Sequence, residues 1–237
     1  MKEEVHTVVD ELIGRLESVS DPARKAKSVS YCPTSMRVIG VSNPNMYGMI
    51  RELKKEHSEW KEQRWIDFCL ELARTGIFEC RGIAFELLGR SGKLLRTLTR
   101  QHLSLLAKGL DNWASVDHFA VGIYGVLWRM GTVRDEDIRA LLESPDPWRR
   151  RIALVSTVAL NLKSRGGTGD TERTLSVCEA VVEDRHDMLQ KALSWALREL
   201  SKRDPASVRR FIEMHHNKLS GRVIREVRHK LTFGTKN

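Results

Sequence analysis

Apolar residues recur every three to four positions along almost the whole chain, the spacing of one helix face. Leu189, Ala192, Leu193, Ala196, Leu197 and Leu200 form the clearest run, since all six fall on one side of a single helix. Helix-entry signals repeat as well. Asp146 before Pro147, Asp170 before Thr171 and Asp204 before Pro205 each put a capping carboxylate ahead of a periodic segment, two of them with proline at the first helical position. Strand-like alternation is confined to Met36 to Val41, where Gly40 and the nearby Pro44 make a linker the better reading. The pattern predicts helices over 3–18, 22–32, 44–57, 59–75, 79–90, 92–109, 113–130, 134–143, 147–163, 171–183, 187–202, 204–215 and 220–231.

These helices group into successive antiparallel pairs, spaced roughly 35–45 residues apart, the range of two-helix solenoid repeats. The expected fold class is all-α, a single-domain α-solenoid over 1–237 with a concave inner wall. The repeats share no sequence signature, so helix count and spacing carry this expectation. Ser164 to Gly169, rich in glycine, reads as a flexible surface insert.

Charge narrows the partner. The chain carries +9, and from Arg185 onward 13 Lys and Arg face 5 Asp and Glu, so nearly the whole excess lies in the C-terminal part. Such clustering is the footprint of a polyphosphate partner, or else the solvated surface of basic helices. The four cysteines (Cys32, Cys69, Cys80, Cys178) form no C-x-x-C pair, which argues against zinc, iron–sulfur clusters or a disulfide framework and for a reducing compartment. Met1 to Glu17 mixes acids among its apolar residues, unlike a signal peptide, and no apolar run approaches the ~20 residues that span a bilayer. A cytoplasmic monomer, free of membrane, metal and cofactor, is expected. No nucleophile elbow, phosphate-binding glycine loop or zinc-protease motif occurs. Adjacent histidines on a helix point apart, so His215 and His216 read as surface residues.

Three places remain that packing alone does not demand. Trp113 lies at the edge of the stripe Val116, Ala120, Ile123, Leu127, and Asp117 follows it one turn on. The plain alternative is a half-buried tryptophan, with Asp117 favoured near a helix start by the backbone dipole. Arg151, in the run Trp148-Arg149-Arg150-Arg151, falls in line with Val155, Val158 and Leu162. A cation there, near a helix N-terminus, needs an anion: a buried carboxylate such as Asp117, or a ligand phosphate. Trp195 sits off its apolar stripe among Lys191, Arg198 and Lys202. An indole ringed by cations suits a sugar or base with flanking phosphates, or cation–π packing against a neighbouring repeat.

Those segments carry a resemblance. Trp113-Ala114-Ser115-Val116-Asp117, Trp148 through Ala153, and Gln190 through Glu199 resemble the AlkD-like DNA alkylation repair glycosylases, which are built of HEAT-like repeats; the likeness spans Arg24 to Leu231. It implies HEAT-like helix pairs with a basic concave face and a lesion site made by Trp113, Asp117, Arg151 and Trp195. Tyr31, nine residues before Gly40, corresponds to the family's N-terminal tyrosine. Arg150, Lys191, Arg198 and Lys202 complete the expected nucleic-acid contacts. The implied activity is excision of cationic N-alkylpurines, of the 3-methyladenine and 7-methylguanine class, from duplex DNA without strand cleavage. His118, Phe119 and the glycine loop depart from the best-known members, which leaves lesion preference open. The other readings are a HEAT-repeat protein that binds damaged or branched DNA without catalysis, and a scaffold for proteins.

Overall fold

A computed structural model describes residues 2–235, with side chains from Glu4 onward, and all of its regular elements are helical. Among the described residues the one strand-like pairing is a bridge between Arg37 and Ile77, so the stretch Met36 to Val41 is the linker expected. The chain divides into two compact units, Met1–Phe119 and Ala120–Asn237.

In the first unit the elements are α1 (Lys2–Ser18), α2 (Pro22–Tyr31), α3 (Asn43–Glu56), α4 (Glu62–Arg74), α5 (Phe78–Gly89), α6 (Gly92–Thr97), α7 (Arg100–Ala107) and α8 (Trp113–Phe119). Helices α4 and α5 pack on each other, and α5 also meets α3, α6 and α8. Ile66, Phe68, Cys69, Leu72, Phe85 and Leu88 form the middle of this core. Because α5 is buried nearly all round, its charged side chains must find partners inside. The Glu79 carboxylate accepts the backbone amides of Ile39 (3.0 Å), Gly40 (2.7 Å) and Val41 (3.3 Å), which pins the linker. Gly40 is fitted to that place: its φ is +96°, and a Cβ would lie 2.6 Å from the Asp21 carbonyl. The expected helix 92–109 is in fact two helices. Leu98 is extended, and Thr99 opens α7 with a reciprocal cap, accepting from the His102 amide (3.3 Å) while His102 Nδ1 accepts from the Thr99 amide (3.2 Å).

The second unit opens with a π-helical turn (Ala120–Tyr124) that follows α8 directly, so the expected helix 113–130 changes geometry midway. It continues through α9 (Gly125–Arg129), α10 (Asp135–Leu142), α11 (Pro147–Asn161), α12 (Thr171–Ala180), α13 (Asp187–Leu200), α14 (Pro205–Met214) and α15 (Gly221–Phe233). Helix α11 packs on α9 and α13, and α13 packs on α15, with α10, α12 and α14 filling the alternate positions. This is a helix-pair repeat in which α11, α13 and α15 begin at 147, 187 and 221. All three predicted carboxylate caps form: Asp146 to Trp148 N (2.9 Å), Asp170 to Arg173 N (3.0 Å) and Asp204 to Ser207 N (2.9 Å).

The glycine loop lies at the surface between helices as expected, and it is tied to the end of α11. The last carbonyls of a helix need donors, and the loop supplies them: Gly167 N bonds Leu162 O (3.0 Å) and Gly169 N bonds Leu160 O (3.1 Å). Arg203 adds bonds to the carbonyls of Asn161 and Gly167, both at 2.9 Å. His215 departs from its surface reading: it is buried, with its ring 4.5 Å from that of Phe211 and Nε2 3.7 Å from Glu179.

The approach of α9 to α11 gives a test of packing. A Cβ on Gly125 would lie 2.4 Å from the Ser156 carbonyl and 2.8 Å from Ala159 Cβ, whereas one on Gly14 of α1 meets nothing within 4 Å. Gly125→Ala should destabilise by about 1–3 kcal/mol through overpacking. Gly14→Ala should stabilise by roughly 0.5–1 kcal/mol through helix propensity. Urea unfolding of both variants reads the difference, and shifts of the same sign would refute the close approach.

Candidate functional site

Tyr31, Trp113 and Asp117 belong to the first unit. Asn112, wholly buried, caps α8: its side-chain oxygen accepts from Ser115 N (2.9 Å) and its carbonyl from Val116 N (3.1 Å). The helix so started places Asp117 one turn beyond Trp113 on the same side, both half-buried. The Trp113 indole Nε1 donates to the Tyr31 carbonyl (3.4 Å), and the two rings meet edge to face with centroids 5.3 Å apart. Tyr31 is 73 % exposed, so its ring is offered outward while its edge contact fixes it. Asp117 also lies near Cys32: burial first, then the Asp117 and Asp111 carboxylates, push that thiol's pKa up against the backbone amides of Ala114 and Trp113.

What seats Tyr31 against α8 was not foreseen. The Asp111 carboxylate accepts from Thr34 Oγ1 (2.5 Å) and Ser35 N (2.6 Å), while Asn112 takes the Cys32 thiol (3.4 Å) and gives its amide to Thr34 Oγ1 (3.3 Å). The segment after α2 is thereby tied to the residues that start α8. Asn112, three positions before Ser115, is a helix-entry signal visible in the sequence; its reach to residues 32–35 is not.

The remaining predicted residues lie in the second unit. Arg151 is 4 % exposed on α11, and its guanidinium donates to the Met188 carbonyl in the first turn of α13. Arg150 bonds Asp184 (3.1 Å) and the carbonyls of Ser144 (2.8 Å) and Pro145 (2.9 Å), tying the start of α11 to the segment before α13. Trp195 is half-buried on α13 beside the leucine and alanine stripe, which is fully buried as expected. Each cation near it has a carboxylate that sequence reasoning passed over. Lys191 pairs with Asp187 (2.8 Å) and Lys202 with Glu199 (2.6 Å), while Arg198 lies 3.8 Å from Glu226 and donates to Ser194 Oγ (3.1 Å). Hydrogen bonding by Lys191, and then by Arg222, holds the Asp187 carboxyl below its usual range in spite of some burial. The lysine side chains remain about half exposed, 48 % and 47 %, against 12 % for Arg198. Among the described residues no group of His, Cys, Asp and Glu is arranged to hold a metal, and no helix is long and apolar enough to cross a membrane.

The Asp111 bracket generates a pH prediction. Burial works against its charge, but the donors Ser35, Thr34 and Asn112 outweigh it, and the carboxyl titrates below its usual range. A depressed carboxyl stabilises the fold above its unfolded pKa and loses that contribution as pH falls through the folded value. Stability should therefore decline below about pH 4, the ordinary aspartate range. Asp111→Ala should cost about 1 kcal/mol at pH 7, since Thr34, Ser35 and Asn112 lose a shared acceptor at a partly exposed site, and should flatten the decline in acid. Urea unfolding at several pH values measures both; an unchanged acid slope would refute the bracket.

With this geometry in place, comparison with known proteins identifies the chain's relatives. The family described as DNA alkylation repair enzyme matches over residues 12–231. No curated protein matches in sequence. Among solved structures, a protein of Enterococcus faecalis described as a predicted DNA alkylation repair enzyme superposes with a TM-score of 0.70, covering 90% of this chain and 97% of its own, at 18% identity. At that identity the likeness speaks for the fold alone, whereas the family match takes in nearly the whole length. The chain belongs to the family of DNA alkylation repair enzymes.

Proposed function

We propose that the protein is a monofunctional DNA glycosylase that hydrolyses the N-glycosidic bond of cationic N-alkylpurines in duplex DNA. The observation that supports this most is the capped α8 helix, which offers Asp117 one turn from Trp113, with the exposed ring of Tyr31 against that indole. An alkylated purine already carries positive charge, so it leaves without a general acid. The demand is to stabilise the positive charge that develops on the deoxyribose as the bond breaks. Asp117 meets it with an opposite charge and orients the attacking water.

Trp113 and Trp195 are assigned the faces of the sugar, where indoles exclude water and attract a cation through their ring quadrupoles. Tyr31 contacts the duplex beside Trp113. Arg151, 4 % exposed and donating to the Met188 carbonyl, is assigned a positive potential that acts on a backbone phosphate from beneath the surface. Lys191 and Lys202, half exposed, take flanking phosphates; Arg150 and Arg198 add positive potential from enclosed positions. A monofunctional enzyme of this kind uses no Schiff-base lysine and leaves an abasic site in an uncut strand. A non-catalytic protein that binds damaged or branched DNA would share the charge but not the need for Asp117.

Asp117→Asn should lower release of 7-methylguanine from methylated duplex DNA by about 100-fold or more, the size of effect seen when one transition-state electrostatic contact is removed. Binding to undamaged duplex should change less than about twofold, given that phosphates dominate affinity. Base release by the native chain is the direct assay: its absence leaves a binding protein, and full activity in the variant removes Asp117 from its role.

Duplex affinity should also fall steeply with salt, and Lys191→Ala and Lys202→Ala should each reduce the slope of log K against log salt by about one. Fluorescence anisotropy at several salt concentrations reads this, and a slope unaffected by either change would place the phosphates elsewhere.

A further inference from the structure

The first unit contains a cavity of about 370 Å³ that the glycosylase reading does not use. Its place in the unit follows from the helix directions. The early turns of α3, α5 and α8 share another cavity, lined by Asn43, Phe78 and Ala114 among others, so these three helices run side by side in one direction. Trp113 opens α8, whereas the larger cavity is bounded by Lys54 in the last turn of α3 and by Arg90 just past α5. A helix of 14 residues such as α3 is about 20 Å long. A duplex drawn to Trp113 and Asp117 would leave this far edge open.

Charge gives the first limit on an occupant. Around Trp195 each cation has a carboxylate beside it. Here Lys54 and Lys93 both line the cavity, both are exposed, and neither has a carboxylate in ion-pairing range among the described residues. Arg90 is the third cation. Its Nε donates to the Glu86 carboxylate, which fixes the side chain, while its terminal nitrogens have no partner among the described residues. Three cationic groups around one hollow repel one another until an anion joins them. A carboxylate offers one charge and two oxygens, whereas a phosphate monoester offers about two charges and three oxygens, one for each group.

The rest of the wall describes what such a phosphate is attached to. Leu87 and Leu94, both buried, and the half-buried Trp65 form an apolar side. Trp60 is wall and not platform: it is 7 % exposed, stacked on His57 at 4.2 Å, with the Arg64 guanidinium 4.8 Å from its ring. Glu62, in the first turn of α4, also lines the cavity. A carboxylate there opposes a bare anion, so it selects a ligand that carries a hydroxyl or amino donor as well as its phosphate. The volume lies within the range of about 300–1,000 Å³ usual for small organic ligands.

We propose that this cavity binds a nucleoside monophosphate, with its phosphate on Lys54, Arg90 and Lys93, its ring against Trp65 and the two leucines, and a donor group on Glu62. Two sources share that chemistry: a free mononucleotide, and the phosphorylated end of a nucleic-acid strand. The internal phosphates of a duplex do not share it, because each is a diester with a single charge. The inference stands apart from the glycosylase reading and survives or fails without it.

NMR titration of the whole chain tests it, observed through the indole N–H signal that Trp65→Phe removes. One arm adds deoxyadenosine monophosphate, inorganic phosphate or deoxyadenosine; the other adds a short single strand with and without a terminal phosphate. The monophosphate should shift the Trp65 signal saturably and bind at least about tenfold tighter than phosphate or nucleoside alone. Lys54→Ala and Lys93→Ala should each weaken it about tenfold, the effect of one charged hydrogen bond, whereas Lys191→Ala with Lys202→Ala on α13 leaves it unchanged. Glu62→Gln should weaken nucleotide binding yet strengthen that of inorganic phosphate, a reversal that loss of folding cannot produce. A free nucleotide that binds as tightly as the phosphorylated strand assigns the cavity to a soluble ligand. A phosphorylated strand that outbinds both the free nucleotide and the unphosphorylated strand assigns it to a strand end. No saturable Trp65 shift in either arm at millimolar ligand, affinity undiminished when Lys54→Ala and Lys93→Ala are combined, or inorganic phosphate bound as tightly as the nucleotide overturns the proposal.

Discussion

Two neighbouring side chains, Asp111 and Asn112, hold together everything the first unit offers at its candidate site. Each satisfies donors from separate segments at once: Asp111 takes Thr34 and Ser35, and Asn112 takes the first turn of α8 and the Cys32 thiol. A helix start left without a cap frays, and a loop left without partners wanders. Joining the two needs lets one short sequence set the pitch of α8 and the position of Tyr31. Trp113 and Asp117 then inherit their mutual geometry from the helix itself, which is more rigid than any loop. Glu79 performs a related service at the far end of the same segment, holding the amides of residues 39–41 from within a buried helix.

The second unit reaches its order by another route. Helix α11 is buried from Arg151 to Asn161, so nearly every polar atom on it must be paired internally. Asn161 spans to Thr157 and Thr174, and the glycine loop and Arg203 close the helix end. Arg151 at the other end reaches the Met188 carbonyl. A cation so enclosed is held in one place, and so is the turn of α13 it touches. Trp195, two turns along α13 on the polar side, is thereby carried by a helix anchored on its apolar side.

Local chemistry was legible in the sequence, and long-range chemistry was not. The buried stripe of α13 and the caps at Asp146, Asp170 and Asp204 were readable because each depends on residues within a few positions. The spacing of Trp113 and Asp117 was equally plain. Tyr31 could be tied to Trp113 only through resemblance, because the rings meet across 82 positions and nothing in either segment announces the other. The break at Leu98 escaped an apolar period that runs on through it, although Thr99 is a capping residue. Charge misled in a particular way. A helix face rich in Lys and Arg looks unopposed when its partners, Glu226 for Arg198 or Asp184 for Arg150, come from elsewhere in the chain.

Such pairing bears on how a protein of this kind would search DNA. The excess of positive charge in the C-terminal part overstates the attraction felt by a phosphate near α13, because Asp187, Glu199 and Glu226 stand beside its cations. Exposed ion pairs are worth only about 0–1 kcal/mol, so a phosphate can displace the Asp187 carboxylate from Lys191 at little cost, whereas the buried Glu199 holds Lys202 more firmly. The displaced carboxylate stays close, however, and repels the newcomer. Affinity for undamaged duplex is thus held down by exchange, which favours sliding over trapping. On the proposed reading, a cationic lesion would add an attraction at the half-buried Asp117 carboxylate that ordinary bases do not offer. Weak attraction everywhere and a strong one at the damaged sugar would let the same fold scan and stop.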